Sequence, residues 1–254
     1  MRTGLLDELV AVAVRAGSVI MDHRGRADAR LKADRSPVTD ADEAAEALII
    51  AALNRLTPDI PVIAEEMMSG PAPAGEAGAL FWLVDPLDGT REFLGGNGEF
   101  TVNIALVEER RVTLAVVGAP ARGLIYASDG TRSWCRQANG GEAVAIRTRQ
   151  PPESGMTAAM SRSHRDRASE TFLESLPVTD EIIGGSSLKF CLLAEGRADV
   201  YPRFGRTMEW DTAAGHGILE AAGGAVREPD GGAFLYGKPG FVNPPFVAWG
   251  SAPP

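Results

Sequence analysis

Residues 80–90 read LFWLVDPLDGT, an almost wholly apolar run that leads into two aspartates and a glycine. Such a run is typical of a strand that is covered on both faces. Because Pro86 has no N–H for the hydrogen-bond ladder, we expect the strand to stop there and a turn to form at Asp88, Gly89 and Thr90. The stretch therefore predicts a buried strand that delivers carboxylates to the edge of a sheet.

These carboxylates are suited to binding a divalent cation. Asp85 and Asp88, three residues apart across a proline turn, can converge on Mg²⁺, which prefers oxygen ligands. Gly89 lets a phosphate approach the backbone, whose N–H groups can bind an anion. An ordinary Asp-Gly turn is the competing interpretation, but the whole hexapeptide after a buried strand favours a site. The i, i+3 spacing disfavours phosphatases that use an aspartate nucleophile, whose D-x-D-x-T pattern is spaced i, i+2.

Two glutamates follow a second predicted strand. The short strand at 61–64 runs straight into Glu65 and Glu66, so these carboxylates can lie at the same sheet edge as Asp85. Taken alone, solvated charge at a loop entrance explains them equally well. Lys32 can pair with this acidic cluster or can equally be an ordinary surface lysine.

Two more aspartates occupy predicted helix starts. Asp211 lies near the start of the helix predicted at 211–224, where an acidic residue commonly satisfies the helix dipole. Asp42 follows Thr39 by three residues, and this spacing on its own favours a capping box. Both aspartates therefore have a structural interpretation as well as a functional one.

The chain as a whole alternates between helix and strand patterns. Apolar periodicity and glycine or proline boundaries locate the elements. We predict helices at 4–22, 40–56, 165–176, 186–196 and 211–224, and strands at 61–64, 80–85, 100–108, 112–120, 123–127, 143–147, 157–161 and 198–202. A Gly/Pro/Ala loop occupies 69–78, and 147–155 is the predicted junction between two lobes. This alternation predicts a layered α/β fold.

The overall composition narrows the classes of partner. Among 254 residues there are 25 Lys and Arg against 34 Asp and Glu, a formal net charge of −9, which disfavours nucleic acids and anionic membranes as partners. A small anionic substrate is compatible with this charge, because a few bound cations reverse the charge of one cleft. The two cysteines and the lack of a visible targeting or transmembrane segment predict a cytoplasmic protein. Peripheral attachment to the inner membrane is left open.

Together the motifs resemble those of a known group of enzymes. DPLDGTREF (85–93), AEE (64–66), SPVTDAD (36–42) and WDTAAGH (210–216) resemble the lithium-sensitive, magnesium-dependent phosphomonoesterases of the inositol monophosphatase superfamily. NGEFTVNIALVE (97–108) and GSSLKFCLLAEGRADVYPRFG (185–205) are similar to its 3'(2'),5'-bisphosphate nucleotidase branch of the bacterial CysQ type. The resemblance extends from residue 32 to the end of the chain.

The resemblance implies a layered α-β-α-β-α sandwich of the inositol monophosphatase and fructose-1,6-bisphosphatase type. One phosphatase domain would occupy 1–254, with most metal ligands in an N-terminal lobe, 1–150. Asp211 and the substrate contacts would lie in a C-terminal lobe, 151–254. The implied cofactor is Mg²⁺, as two or three ions, and the implied metal ligands are Glu65, Asp85, the Leu87 carbonyl, Asp88 and Asp211.

The resemblance also implies roles in catalysis and binding. Asp42, Thr90 and Glu65 would be catalytic, with Asp42 and Thr90 helping to activate the attacking water. The implied substrate-binding residues are Gly89, Thr90, His164, Ser186, Lys189, Arg203 and Asp211. In the C-terminal lobe, Lys189 and Arg203 would thus bind a second phosphate, although Lys189 can equally be a surface lysine.

Two further details of the implied substrate site stay open. A helix N-terminus at Ser186 would be suited to binding an anion. His164 would lie near the nucleotide, although an ordinary loop histidine is an equally good interpretation.

The resulting hypothesis is a phosphomonoesterase of sulfur assimilation. It would remove the 3'-phosphate of adenosine 3',5'-bisphosphate (PAP) to give AMP and phosphate, using water rather than a covalent phospho-enzyme. Its 5'-phosphosulfate relative (PAPS) is a further candidate substrate. The alternatives are an inositol monophosphatase, a fructose 1,6-bisphosphatase or other sugar-phosphate phosphatase, and a non-enzymatic protein that senses nucleotide or phosphate. The expected assembly is a monomer or a homodimer.

Overall fold

The computed structural model describes residues 2–25, 29–32, 36–68, 78–163 and 165–251. Its helices are α1 Arg2–His23, α2 Asp40–Leu56, α3 Glu65–Met68, α4 Thr90–Leu94, α5 Arg167–Glu174, α6 Leu188–Ala194 and α7 Glu209–Ala221. Its strands are β1 Arg30–Leu31, β2 Pro37–Val38, β3 Val62–Ala64, β4 Leu80–Asp88, β5 Thr101–Glu108, β6 Arg111–Ala119, β7 Leu124–Ser128, β8 Ser133–Gln137, β9 Val144–Ile146, β10 Met156–Ser161, β11 Val178–Gly184, β12 Val200–Arg203, β13 Ala225–Arg227 and β14 Phe246–Trp249. No helix among these residues has the length and apolar character needed to cross a membrane. The loop predicted at 69–78 lies, apart from Gly78, outside the described residues.

The first half of the chain builds a seven-stranded sheet in the order β3-β4-β5-β6-β7-β8-β9. β3 pairs parallel to β4, and the other neighbours are antiparallel. In the parallel pair Ala64 lies opposite Val84, so the residues that follow, Glu65 and Asp85, emerge at the same end of the sheet. The predicted common edge for these carboxylates is therefore present.

The second half builds a five-stranded sheet in the order β11-β10-β12-β14-β13. β10 pairs parallel with β11 and β12, whereas β14 pairs antiparallel with β12 and β13. The chain passes from one sheet to the other over residues 147–155, the segment in which we predict the lobe junction.

Three clusters of buried apolar side chains show how these layers stack. One cluster joins α1 and α2 to the seven-stranded sheet. A second places α6 and α7 between the two sheets, in contact with buried side chains of both. The third joins α5 to the other face of the five-stranded sheet. The order of layers is α-β-α-β-α, and the predicted sandwich is confirmed.

Strand β4 contributes to two of these clusters. Phe81 and Leu83 pack against the layer of α6 and α7, whereas Trp82 and Val84 pack against α1 and α2. Each large apolar side chain buried in this way stabilises the fold by about 1.5–3 kcal/mol. The prediction of a strand covered on both faces is confirmed.

The predicted end of that strand is wrong. β4 continues through Pro86 to Asp88, because Asp85 pairs with Asn103 and Asp88 with Thr101. Three residues of β4 thus advance against two of β5, which is a one-residue bulge, and a bulge tolerates a proline that donates no hydrogen bond. In a regular strand, positions i and i+3 face opposite sides. The extra residue therefore turns Asp85 and Asp88 toward the same side.

Candidate active site

A cleft of about 290 Å³ opens where β3 and β4 end, beside the starts of α6 and α7. It brings together all five predicted metal ligands and all the predicted substrate-binding residues except His164, which lies outside the described residues. Five acidic and four basic side chains line it: Glu65, Asp85, Asp88, Glu92 and Asp211, and Arg91, Lys189, Arg203 and Arg206.

The three aspartates share one arrangement. A backbone N–H donates to one carboxylate oxygen of each: Leu87 N to Asp85 Oδ1 at 3.0 Å, Ser187 N to Asp88 Oδ2 at 2.8 Å, and Met208 N to Asp211 Oδ2 at 2.8 Å. Within the described part of the chain, no hydrogen bond engages the second oxygen of these carboxylates. Each aspartate is therefore fixed in position and keeps an oxygen for a ligand.

Burial gives these carboxylates a preference for the neutral form. Burial, followed by the charges of Glu65 and Asp88, raises the pKa of Asp85 well above its usual range. Burial and then Asp88 raise the pKa of Asp211 in the same way. Burial also raises the pKa of Asp88, to about 6, although the Lys189 ammonium opposes it. Without a bound cation, ionising all three aspartates together is therefore unfavourable.

The donor set fits a hard divalent cation. The predicted ligands offer only carboxylate and carbonyl oxygens, the type that Mg²⁺ prefers, and a divalent charge would offset the repulsion between the carboxylates. Among the residues that the structure describes, no three acidic, histidine or cysteine side chains stand close enough to hold an ion as they lie. The fit to a cation therefore rests on the type of these donors and on their charge.

Lys32 holds the glutamate pair at the entrance of the cleft. Its Nζ lies 2.7 Å from Glu65 Oε1 and 2.7 Å from Glu66 Oε1. Its side chain is 10% exposed, and although burial opposes it, Glu65 raises the pKa of this lysine. Of the two interpretations of Lys32, the structure therefore supports the partner of the acidic cluster.

Glu46, on α2, fixes the backbone that carries the glutamates. Its two carboxylate oxygens accept hydrogen bonds from Glu66 N at 2.7 Å and Met67 N at 2.8 Å. These are the otherwise unpaired N–H groups at the start of α3, for which a carboxylate is a suitable acceptor. The sequence pattern does not reveal this role, because α3 is a single turn with no apolar periodicity of its own.

Asp42 caps α2 and also contacts a residue of the cleft. Its Oδ2 accepts hydrogen bonds from Thr39 N at 2.8 Å and Thr39 Oγ1 at 2.6 Å, which completes the capping box of α2. Its Oδ1 accepts a hydrogen bond from Thr90 Oγ1 at 3.1 Å. Burial raises the pKa of Asp42, while its bonds to Thr39 and Thr90 oppose that rise. The cap thus fixes the carboxylate beneath the cleft-lining Thr90.

Gly89 and Ser186 meet where β4 ends. Gly89 has φ +92°, and a Cβ there would lie 2.3 Å from Ser186 Oγ, so glycine is needed. Ser186 itself has φ +52°, a conformation that residues with a side chain rarely adopt. Its hydroxyl lies 2.8 Å from the Asp88 carbonyl and 2.9 Å from the Glu99 carbonyl. The serine therefore holds the end of β4 against the loop before α6.

The start of α6 binds groups of the protein itself. The helix begins at Leu188, so the helix start predicted at 186 lies two residues too early. The Ser187 N–H, which could have met an anion, donates instead to Asp88, and the Ser187 hydroxyl donates to the Asp211 carbonyl at 2.8 Å. Ser187 therefore links the two segments that carry these aspartates.

Lys189 lies on the floor of the cleft. It is only 4% exposed, its Nζ donates to the Ser186 carbonyl at 2.8 Å, and it lies 5.1 Å from the centre of the Tyr201 ring. Burial lowers its pKa to about 8, although Asp88 opposes this. The surface-lysine interpretation is wrong, because the α6 face that carries Lys189 is buried between the sheets.

Besides Glu46, sequence reasoning missed two further side chains that shape the site. Glu92 is buried, lines the cleft and accepts a hydrogen bond from Ser163; its position within DPLDGTREF was an available signal. The Asn243 side-chain amide donates to the Met208 carbonyl at 2.7 Å and to Thr212 Oγ1 at 3.1 Å, on either side of Asp211. It lies in an irregular loop, where no sequence pattern marks it.

Comparisons with known proteins agree with this fold. The model of the inositol monophosphatase family matches residues 2–251. The chain is 42% identical over 246 residues to "3'(2'),5'-bisphosphate nucleotidase CysQ" of Escherichia coli K12, covering 95% of this chain and 98% of that one. The crystal structure of CysQ from Bacteroides thetaiotaomicron aligns with a TM-score of 0.80 at 34% identity, covering 96% of both chains. An IMPase of Thermotoga maritima aligns with a TM-score of 0.74 at 26% identity, covering 97% of this chain and 92% of that one.

Proposed function

The chain belongs to the inositol monophosphatase family, a family of metal-dependent phosphatases, and we propose that it is a Mg²⁺-dependent 3'(2'),5'-bisphosphate nucleotidase. It removes the 3'-phosphate of PAP to give AMP and phosphate, and PAPS is a second candidate substrate. The observation that carries this proposal is the cleft in which buried carboxylates for cations stand beside four basic side chains. A substrate with a second anionic group uses these four basic side chains better than a monophosphate does.

The proposal assigns metal ligands within this cleft. Glu65, Asp85 and the Leu87 carbonyl would hold one ion, and Asp85, Asp88 and Asp211 a second, with a third near Glu65. When bound, the ions supply charge neutralisation at the phosphate and lower the pKa of a nearby water.

The chain's own residues would position that water. The Thr90 hydroxyl donates a hydrogen bond to Asp42 Oδ1, 3.1 Å away, or to the Leu87 carbonyl oxygen, 3.3 Å away. The lone pairs of this hydroxyl oxygen can then accept a hydrogen bond from a water in the cleft. Gly89, which has no side chain, leaves its backbone accessible to the phosphate. Catalysis of this kind depends on positioning and charge stabilisation.

A phosphate-release panel tests the proposal. Purified protein with Mg²⁺ is given PAP, PAPS, inositol 1-phosphate and fructose 1,6-bisphosphate, each with and without millimolar Li⁺. We expect the highest kcat/KM for PAP and inhibition by Li⁺. Faster release of phosphate from inositol 1-phosphate than from PAP would assign the chain to the inositol monophosphatases instead. Nucleotide binding without turnover, unaffected by Asp85→Asn, would indicate a sensing protein instead.

The proposed location is the cytoplasm, with the protein a monomer or a homodimer. Both cysteines are free in the structure, and the net charge of −9 does not favour attachment to an anionic membrane. Cell fractionation and size-exclusion chromatography with light scattering test these two points. Recovery in the membrane fraction or a larger assembly would contradict them.

A further inference from the structure

The four basic residues of the cleft fall into two pairs. Lys189 is buried, its Nζ donates to the Ser186 carbonyl at 2.8 Å, and it lies 5.1 Å from the centre of the Tyr201 ring. Arg203 is half-buried. Both side chains are therefore enclosed by the protein.

Arg91 and Arg206 are different. Both line the same cleft, both are exposed, and neither guanidinium has a hydrogen bond or an ion pair with any residue that the structure describes. By contrast, the exposed Arg162 forms a bidentate contact with Glu99, at 2.8 and 3.1 Å. The two arginines at the mouth thus keep their full charge for a ligand.

The two arginines reach the cleft from different parts of the fold. Arg91 follows Thr90 in α4, which continues from the seven-stranded sheet. Arg206 lies between β12 of the five-stranded sheet and α7. A ligand whose first phosphate is bound through the cations that the carboxylates would hold would present a second anionic group toward the mouth.

We propose that Arg206 and Arg91 bind the anionic group that the enzyme does not hydrolyse, the 5'-phosphate or 5'-phosphosulfate of the nucleotide. This inference rests on the proposed function and adds residues that select a bisphosphate over a monophosphate. A guanidinium suits the role because its N–H groups form paired hydrogen bonds with phosphate oxygens. The resemblance implied Lys189 and Arg203 for the second phosphate, and the inference adds Arg206 and Arg91 as the contacts that select for it.

The test compares PAP with adenosine 3'-monophosphate, which lacks the second anion. Arg206→Gln and Arg91→Gln are made singly and together, with Arg55→Gln as the control, since Arg55 is exposed, unpaired within the described residues and outside the cleft. We expect the double variant to raise KM for PAP about 10-fold, because that is the effect of losing one or two solvent-exposed, charge-assisted hydrogen bonds. The kcat/KM for the monophosphate should change less than about twofold, and the Arg206→Lys variant should recover part of the loss.

Ionic strength provides an independent measurement. The wild-type kcat/KM for PAP should fall as salt rises, and the double variant should show a weaker dependence, because exposed charges are screened. Equal losses on both nucleotides, or no loss on PAP, would overturn the inference while leaving the nucleotidase activity established.

Binding can also be measured in a variant that does not hydrolyse the nucleotide. The arginine variants are remade in the Asp85→Asn background, and the affinities of both nucleotides are measured by calorimetry. A preference for PAP that disappears with the two arginines supports the assignment even if the wild-type chain hydrolyses another phosphate. A preference that persists without them refutes it.

Discussion

Each cleft aspartate has one oxygen held by a backbone N–H, an arrangement that fixes the side chain without neutralising its charge. Asp85→Asn keeps an acceptor for Leu87 N but removes one of several mutually repelling charges. We therefore expect the metal-free variant to melt higher than wild type, by about 3 °C for each ~1 kcal/mol of repulsion relieved. Added Mg²⁺ should stabilise it less than it stabilises wild type. Calorimetry in EDTA and in Mg²⁺ measures both effects.

The control for this measurement is Asp59→Asn, since Asp59 is exposed and lies outside the cleft. It should leave both melting temperatures within error of the wild type. If Asp85→Asn gained as much stability from Mg²⁺ as the wild type does, Asp85 would not be a ligand.

Thr90 provides a second prediction, because its hydroxyl is the group that connects Asp42 to the cleft. Thr90→Val keeps the shape of the side chain but removes the donor to Asp42 Oδ1. We expect kcat for PAP to fall about 100-fold, the lower end of what a positioned proton acceptor contributes. Thr90→Ser keeps the hydroxyl and should retain most activity. Equal activity in the valine and serine variants, measured by phosphate release, would exclude the proposed role.

His216 predicts a pH dependence of stability that is independent of the active site. Burial, followed by Arg227 and Arg111, lowers its pKa from the ordinary 6.5 to about 3. Its Nδ1 lies 2.9 Å from the Tyr236 hydroxyl, while Glu220, 3.7 Å from Nε2, is 41% exposed and offsets little of the burial. Between pH 6.5 and pH 3, His216 binds a proton in the unfolded chain but not in the folded protein. The free energy of unfolding therefore falls as the pH drops through this range.

His216 changes the free energy of unfolding by at most about 1.4 kcal/mol per pH unit. His216→Gln removes the titration, so its free energy of unfolding should depend less steeply on pH than that of the wild type in this window. Urea denaturation at pH 7, 6, 5 and 4 measures the difference. Parallel curves for the two proteins would show that the histidine is not held neutral.

Some of the predicted site residues follow a strong local signal, whereas Ser186, Lys189 and Arg203 were implied only by the resemblance. Asp85 and Asp88 end an apolar strand, and Glu65 ends another, so their meeting follows from the pairing of β3 with β4. Glu46 and Asn243 carry no such signal, because their contacts depend on tertiary packing of distant segments. Burial of Lys189 was not predictable for the same reason: its helix lies between two sheets.

At the scale of elements, the junction of β4 and α4 depends on a glycine. Gly89→Ala would place a Cβ 2.3 Å from Ser186 Oγ at a backbone φ of +92°. The unfavourable φ costs about 1–2 kcal/mol and the collision about 1–3 kcal/mol. We expect a loss of this combined size in the free energy of unfolding, measured by urea denaturation, with a larger loss of activity because Thr90 follows directly.

A second substitution separates the two causes. Ser186→Gly removes the colliding hydroxyl and should restore part of the stability of Gly89→Ala, leaving the backbone cost. If the double variant were no more stable than the two single losses added together, the collision would not be the reason for the glycine.

Long apolar elements were predicted within a few residues, whereas four strands of the two large sheets, β8, β11, β13 and β14, were not predicted. The hairpin of β5 and β6 has long apolar runs on both sides of a polar turn. β11 is the edge strand of the five-stranded sheet, and its Thr179, Asp180 and Glu181 are exposed, which hides the alternation that marks a strand. The bulge in β4 was also missed, since a proline normally indicates the end of a strand.

For the whole molecule, alternation of helix and strand predicts layers but not their order. The resemblance implied the order, and the structure explains it physically: α7 is enclosed between the sheets because it is built from small residues. A Cβ on Gly215 would lie 2.4 Å from the Phe190 ring of α6, and one on Gly217 would lie 2.5 Å from Val112 of β6. Two glycines thus set the distance from this helix to its neighbour α6 in the same layer and to the seven-stranded sheet.

Gly217→Ala tests this control of layer spacing. Alanine improves helix propensity by up to about 1 kcal/mol, whereas the collision with Val112 and Ala115 costs about 1–3 kcal/mol, so we expect a net loss of stability. Because α7 carries Asp211, the Mg²⁺ concentration needed for half-maximal activity should also rise. Gly4→Ala in α1, where a Cβ meets nothing within 4 Å, is the matched control and should stabilise the protein. Val112→Ala in the Gly217→Ala background should recover part of the loss, and if both glycine variants were stabilised alike, α7 would not be confined by the sheet.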